Sequence, residues 1–511
     1  MTSIRKQKAT AAAITSGDAA DRSSMLRTLI GFACNQAFLF SLFYMGQNRF
    51  VQVGTFAFER IDVLFALLAI AVVLIVMRAV AAPVRDVVLS RNLMWCYAFL
   101  MALGAAVSLP ESYGAVSLVI EGIVVGVPLG CMLAAWGCAF VSLSHDISVS
   151  GVLLATALAA IGSFLLYAAS TICEPAIYLV DAFPFLSAWA LFSCLPSEPD
   201  SSKAAAPADA QSNQSGLSRL WATKGQRIMT IRLSRKALGG TMLFGIAGGL
   251  METYASDPGM VATPTFPATL LLLALLCAGS LQIVGLGKPV SDAETKPSDT
   301  LVGVYRLVVL VMLAGYLFIP VLKTYGVPGD AIVLAGYLAL TAVLISLFVL
   351  TAKLSGLDGA LAFSRGFSTL YLGEAFGLAL GNALEANIAA NEMTFAVASC
   401  AGLATLFAFL YLFTENDMRA LSRIVKQADR FESACSSITS RCKLSKRESE
   451  ILPLALRGRT AQRIAEELFI SKSTADTHLR RIYQKCDVHS RQELIDLGES
   501  ELRALSDRKD L

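Results

Sequence analysis

The sequence predicts an all-α protein in two parts, a polytopic membrane helical bundle followed by a small four-helix domain at the C-terminal end. Three observations carry this. Of 511 residues, 55% are hydrophobic and 16% charged, with a mean hydropathy of +0.61, a balance that ordinary soluble domains do not have. Between Leu26 and Phe413, apolar runs of about twenty residues recur, each long enough to carry a helix across a hydrocarbon layer of roughly 30 Å. From Ser445 onward the runs give way to short amphipathic segments, each headed by a capping residue.

Residues 1–25 are polar and basic, with Arg5, Lys6, Lys8 and Arg22. No small-residue cleavage site follows the first apolar run, which is therefore expected to remain as an uncleaved helix behind a cytoplasmic tail. Twelve spans are expected: Leu26 to Met45, Asp62 to Val80, Asn92 to Leu109, Val116 to Val141, Val149 to Ser170, Ala176 to Cys194, Leu238 to Tyr254, Thr263 to Leu286, Leu301 to Leu322, Ala331 to Leu354, Leu361 to Leu380 and Met393 to Phe413. Each must satisfy its own backbone, since lipid offers no hydrogen-bond partner. The seventh is short and glycine-rich; the eleventh holds Arg365 and Glu374. Glycines such as Gly122, Gly126, Gly245 and Gly249 are expected to let helices approach closely.

The longest internal loop, 195–236, is rich in serine, alanine and proline early and basic late, and divides the spans six and six within a membrane domain of residues 26–415. With the N-terminus inside, inner loops before the terminal segment hold about fifteen basic residues and outer loops about three, a strong positive-inside bias. The outer loops near Pro110, Glu174, Asp257 and Asn387 have none. An even number of spans then returns the C-terminus to the cytoplasm of a bacterial cell, at its inner membrane, where chromosome and membrane share a compartment. In layout, six plus six spans around a long central loop resemble the major facilitator transporters, which implies two halves packed about a central cavity.

Residues 416–443 read as a linker. Leu421, Ile424 and Val425 suit a continuing helix, whereas Ser436, Ser437 and Ser440 suggest a flexible end, so a passive tether is expected. In the terminal domain, 444–511, Ser445 with Glu448 forms a capping box, and the first helix carries Ile451, Leu452, Leu454 and Ala455 inward, with Pro453 expected to kink it. Gly458 suits the left-handed turn that closes a helix. Thr460 caps a short second helix with Ile464, Ala465 and Leu468. Ser471 caps a third with Ala475, Leu479 and Ile482 on one face, and Ser490 with Glu493 starts a fourth. The free face of the third helix presents Lys472, Ser473, Asp476, Thr477, Arg480, Arg481 and Lys485. Two short helices joined by a tight turn, the second basic on its free face, suit the major groove of double-stranded DNA.

Over about the last seventy residues the chain resembles the LuxR-type helix-turn-helix regulators. The resemblance rests on Glu448, Gly458, the run Ile464-Ala465-Glu466-Glu467-Leu468, Ile470-Ser471 with Thr474, Thr477-His478, Ile482-Tyr483, Val488, Ser490-Arg491 and Glu493-Leu494. It implies that Asp476, Thr477 and Arg480 face base edges, that Lys472, Arg481 and Lys485 lie near phosphates, and that the fourth helix pairs two copies as a homodimer on DNA. Asp476 departs from the basic or polar residue usual there and suits acceptance from a cytosine amino group.

Charges inside spans are costly and normally face a bundle interior or an aqueous cavity. Glu121, Asp181 and Glu374 are candidates for a site that takes a polar ligand or a proton, with an interior ion pair as the alternative; Arg306 and Arg365 are expected to be structural. Cys34, Cys96, Cys131, Cys138, Cys277 and Cys400 lie in apolar runs and act as small hydrophobes. Without a C-x-x-C pair, and with three histidines, no metal site is expected. No phosphate-binding glycine loop, nucleophile elbow or metalloprotease helix is present, so neither enzyme nor cofactor is expected. Three functions remain open: a membrane-bound one-component regulator responding to an unidentified small-molecule ligand or membrane state, a secondary transporter with a regulatory DNA-binding tail, and a DNA-binding domain on a passive membrane anchor.

Overall fold

The computed structural model describes residues 25–44, 49–53, 56–106, 114–142, 145–195, 224–254, 265–286, 300–325, 329–355, 358–385, 390–412, 414–468 and 470–507. The expected N-terminal tail, most of the central loop and the outer loops near Pro110, Asp257 and Asn387 lie outside these residues.

Helical structure stands at each of the twelve apolar runs. In chain order these are α1 (Met25–Tyr44), α2 (Ile61–Ala79), the pair α3 (Ala82–Val88) and α4 (Arg91–Ala106), α5 (Ala115–Ser142), α6 (His145–Ile172), and a 3-10 turn at Glu174–Asp181 leading into α7 (Ala182–Cys194). Then come α8 (Lys224–Tyr254), α9 (Phe266–Leu286), α10 (Thr300–Thr324), α11 (Gly329–Ser355), α12 (Gly359–Glu385) and α13 (Ala390–Phe407), which ends in a π turn at Ala408–Leu412. Among the described residues, eight helical stretches are long and apolar enough to cross a bilayer, or nine if α3 and α4, bent by 55°, form one span. Both α8 and α12 have the length to span but carry charge, Glu252 in one and Arg365 and Glu374 in the other. Outward-facing Leu165, Leu275, Leu317 and Leu403 are 61–71% exposed; such a surface is stable against lipid.

One feature departs from the expected all-α architecture. A hairpin of β1 (Phe50–Val53) and β2 (Phe56–Glu59), with Phe50 opposite Glu59, joins α1 to α2. Its strands alternate bulky and small or polar side chains, and Gly54-Thr55 separates them in sequence, a hairpin signal that the flanking apolar runs obscure.

Glycines set the closest helix pair. A methyl group at Gly245 would collide with Leu370 O, one at Gly249 with Glu374 O, and one at Gly377 with Ile246 O, so the backbones of α8 and α12 touch. Gly126 does the same for α5 on α2, where a Cβ would lie 2.6 Å from Ala66 O. These small-residue seams are how helices associate where water drives no burial. A polar tie joins α3 to the start of α12: Arg85 Nη2 lies 3.0 Å from Asp358 Oδ2, while Asp358 Oδ1 accepts from Ala360 N at 3.2 Å.

The linker forms a helix. Thr414 caps α14 (Glu415–Arg441) with a reciprocal box through Asp417, and the helix runs through the serine-rich stretch without a break. Its first part belongs to the membrane core, with Met418 and Ile424 buried there. Its last part supplies Cys435 and Ile438 to the core of the terminal domain, with Phe431 and Cys442 packed alongside. The spacing 431, 435, 438, 442 is one helical face; the serines between occupy the other positions, which the composition alone reads as flexible. The terminal helices follow as α15 (Lys446–Leu456), α16 (Ala461–Leu468), α17 (Lys472–Cys486) and α18 (Arg491–Asp507). Pro453 is buried within α15, which continues through it as one helix.

Candidate nucleic-acid interface and buried charge cluster

The caps place the recognition helix. Ser445 Oγ accepts from Glu448 N at 3.4 Å, and Glu448 Oε2 accepts from Ser445 N at 2.7 Å. Gly458, at φ 72°, closes α15 with its N–H on Ala455 O. Arg463 N donates to Thr460 Oγ1 at the head of α16, and Thr474 N donates to Ser471 Oγ at 3.0 Å at the head of α17. Asp487, at φ 53°, ends α17 in the left-handed region. Glu493 at the head of α18 accepts from His489 N at 2.7 Å and Ser490 Oγ at 3.0 Å. Hydrogen bonds from the His489 N–H first, and then from Ser490, hold its carboxyl below the usual range.

Helix α17 buries Ala475, Leu479 and Ile482 against the other helices. Its opposite face exposes Lys472, Ser473, Thr477, Arg480 and Arg481, with Asp476 half-buried beside them. The Thr477 hydroxyl donates to Ser473 O within its own helix at 2.8 Å, leaving oxygen lone pairs directed outward as acceptors. Lys485 stands apart from this group. Its Nζ lies 2.6 Å from Glu448 Oε2 and 3.4 Å from Lys443 O, so this cation neutralises the capping carboxylate of α15. Burial pushes the Glu448 carboxyl up, but the Lys485 ammonium and the Ser445 N–H and hydroxyl outweigh it and hold it below the usual carboxylate value. Three basic side chains on a free helix face, Lys472, Arg480 and Arg481, with Thr477 between them, can lie along phosphates while reaching base edges.

The candidate residues of the membrane part are not brought together. Glu121 on α5 pairs with Arg49 beside the hairpin. Asp181 ends the 3-10 turn before α7 and is half-exposed, away from Glu121 and Glu374 in any shared contact. Arg306 and Arg365 are exposed. Glu374, 3% exposed, lies in a cluster that the sequence did not disclose. Its carboxyl lies beside those of Glu252 on α8 and the phenol of Tyr337 on α11. Glu252 Oε1 accepts from Tyr44 Oη at 3.0 Å, and Glu252 Oε2 faces Arg60 Nη1 at 3.5 Å. Arg60 sits in the left-handed region at φ 55°, donates to Phe43 O and lies 5.7 Å over the Tyr44 ring. Beside it, Asn382 on α12 accepts from Glu59 N at 2.7 Å and donates to Glu59 O at 3.3 Å, fastening the hairpin to the bundle. Arg60 and Glu252 fall just at the edges of their apolar runs, where charges are ordinary; only their pairing across distant helices marks them.

Comparison with known proteins places the terminal domain. Residues 442–497 match the family described as bacterial regulatory proteins, luxR family. Over 53 residues the chain is 47% identical to the oxygen regulatory protein NreC of Staphylococcus carnosus, covering 10% of this chain and 24% of NreC. Over 84 residues it is 42% identical to the uncharacterized response regulatory protein YgeK of Escherichia coli, covering 15% of this chain and 57% of YgeK. The chain thus spans less than two thirds of the length of either relative. Among solved structures, the chain is similar to the proton:xylose symporter XylE, with 11% identity, a TM-score of 0.46 and coverage of 79% of this chain and 98% of that one. It is also similar to the human organic anion transporter MFSD10, at 16% identity, TM-score 0.44, and 68% and 82% coverage. The molecule is a LuxR-type helix-turn-helix domain fused to a multi-pass membrane domain.

Proposed function

We propose that this chain is a membrane-bound one-component transcriptional regulator: the membrane domain senses a ligand or membrane state, and the terminal domain reads double-stranded DNA. The observation that carries this reading is α14. One helix buries Met418 and Ile424 in the membrane core and Cys435 and Ile438 in the terminal core, so a shift of the spans reaches the DNA-binding domain through a rigid rod. Lys236, about a dozen residues into α8, lies 3.4 Å from Asp417 in the cap of α14, a second tie. A passive anchor needs neither.

Both termini lie in the bacterial cytoplasm in this reading, with the membrane domain in the inner membrane. Phosphate contacts from Lys472 and Arg481 supply affinity, and Asp476, Thr477 and Arg480 supply sequence choice. Pairing of two copies through α18 uses the face turned away from α14, since Glu501 on the near face is held by Ser437 Oγ at 2.6 Å and Arg441 Nη1 at 2.8 Å. The far face, Gln492, Asp496, Glu499 and Arg503, is polar and exposed, which suits a dimer formed on DNA and not before. The test is duplex binding by the full-length protein in lipid nanodiscs, with α14 intact or broken by Arg430→Pro. Binding that responds to the membrane domain only when α14 is intact supports the proposal; an identical response from the broken chain contradicts it.

A further inference from the structure

The Glu252 and Glu374 cluster has more acid than base. Among the described residues Arg60 is the one guanidinium in contact with it, and it is 2% exposed; Glu252 and Glu374 are 1% and 3% exposed. The other ionisable groups around the cluster among the described residues are Tyr44 from α1, Asp62 from the first turn of α2, Tyr337 from α11 and Tyr371 from α12, with Glu59 of β2 buried next to Arg60 in sequence. None adds a positive charge. The nearby Arg49 is paired with Glu121.

An uncompensated carboxylate in such a place costs several kcal/mol in practice. Glu252 and Glu374 side by side, with one guanidinium beside Glu252, therefore leave at least one negative charge that something must neutralise. Hydrogen bonding is also incomplete there. Glu252 Oε2, Arg60 Nη1 and Tyr337 Oη are buried and have no hydrogen-bond partner among the described residues, and the 3.5 Å between the first two is an ion-pair distance too long for a good hydrogen bond. Space decides what neutralises the charge. The α8 and α12 backbones touch at Gly249 and Glu374, and a Cβ on Gly248 would already lie 2.5 Å from Tyr337 Cζ. Packing this close disfavours an organic cation, and among the described residues no group of three or more acidic, histidine or cysteine side chains is placed to hold a metal ion.

We propose that Glu252 and Glu374 share one exchangeable proton, with Arg60 as counter-ion to the second charge and Tyr44 as the phenol that orients Glu252. Uptake converts one carboxylate to a carboxylic acid whose O–H donates to the other; release returns the proton to water and leaves two like charges across the tightest helix seam in the bundle. Because α8 also meets the cap of α14 through Lys236 and Asp417, loading and unloading this site strains the element that leads to the terminal domain. The proton site itself does not depend on the chain being a gene regulator.

Infrared difference spectroscopy of the full-length protein in phosphatidylcholine nanodiscs, stepped between acid and alkaline buffer, tests it. A carboxylic acid C=O band that shifts in heavy water is expected in the wild type, and its loss in both Glu252→Gln and Glu374→Gln. Survival of the band in both variants overturns the proposal, and loss in only one overturns the sharing. Should either variant fail to fold by gel filtration, Tyr44→Phe is read instead: it removes the bond to Glu252 while keeping the ring, so the band must move, and an unmoved band overturns the proposal.

Discussion

Arg480 and Lys472 stand on the same face of α17 but are expected to address different parts of a duplex. Arg480→Ala should relax sequence choice at one position at a cost of about 1–3 kcal/mol, read as affinity for the best site against a scrambled one. Lys472→Ala should weaken every duplex alike and lower the salt slope by about one. Lys485 behaves differently because it is spent on Glu448, which is 2% exposed. Replacing it with methionine should cost stability first, about 1 kcal/mol after allowing for the partial exposure of the lysine, seen as a lower melting temperature of the terminal domain. The same pair sets a pH dependence. Glu448 has a lowered folded value against an ordinary 4.5, so its contribution is present above that value and is lost as pH falls through the lowered one. Melting followed across this acid range should fall in the wild type and flatten in Glu448→Gln; equal slopes would refute the assignment.

At the scale of elements, α14 is the feature that favours a regulator over an anchor in the proposed reading. Ile438→Ala should destabilise the terminal domain by about 2–4 kcal/mol, as deletion of a fully buried side chain does, although residue 438 precedes the helix-turn-helix itself. Calorimetry of a fragment beginning at Thr414 measures this, and a change within error would remove α14 from that core. The caps of α15 to α18 were legible because a Ser or Thr just ahead of a periodic apolar segment, joined at Ser445 and Ser490 by a Glu three residues on, is a local signal, complete within one turn. The helix over 416–441 was legible only in its first half, through Leu421, Ile424 and Val425; farther on, its serines mask a periodic face whose meaning depends on a partner surface supplied by α15 and α18. The hairpin was hidden for a similar reason, since four-residue strands carry little signal beside runs of twenty apolar residues.

For the whole molecule, the positions of the membrane helices were legible, because crossing a bilayer imposes length and composition on each run independently; helices stand at all twelve apolar runs, and among the described residues eight or nine are long and apolar enough to cross. Which polar residues would meet was not legible, because Tyr44, Arg60, Glu252, Tyr337 and Glu374 come from five separated segments and only packing of α8 on α12 unites them. Glu121, the candidate closest to the hairpin, has a local partner in Arg49, so Glu121→Gln should leave the response of the membrane domain largely unchanged, whereas Glu374→Gln should alter it. Comparing duplex binding by the two variants in nanodiscs checks this. The most direct test of a DNA-reading head carried on the inner side of a membrane is chromosome-wide occupancy of the full-length chain in living bacteria, beside its Arg480→Ala form. Discrete sites that disperse or vanish in Arg480→Ala are predicted, and an occupancy indistinguishable from background in the intact chain would contradict the account.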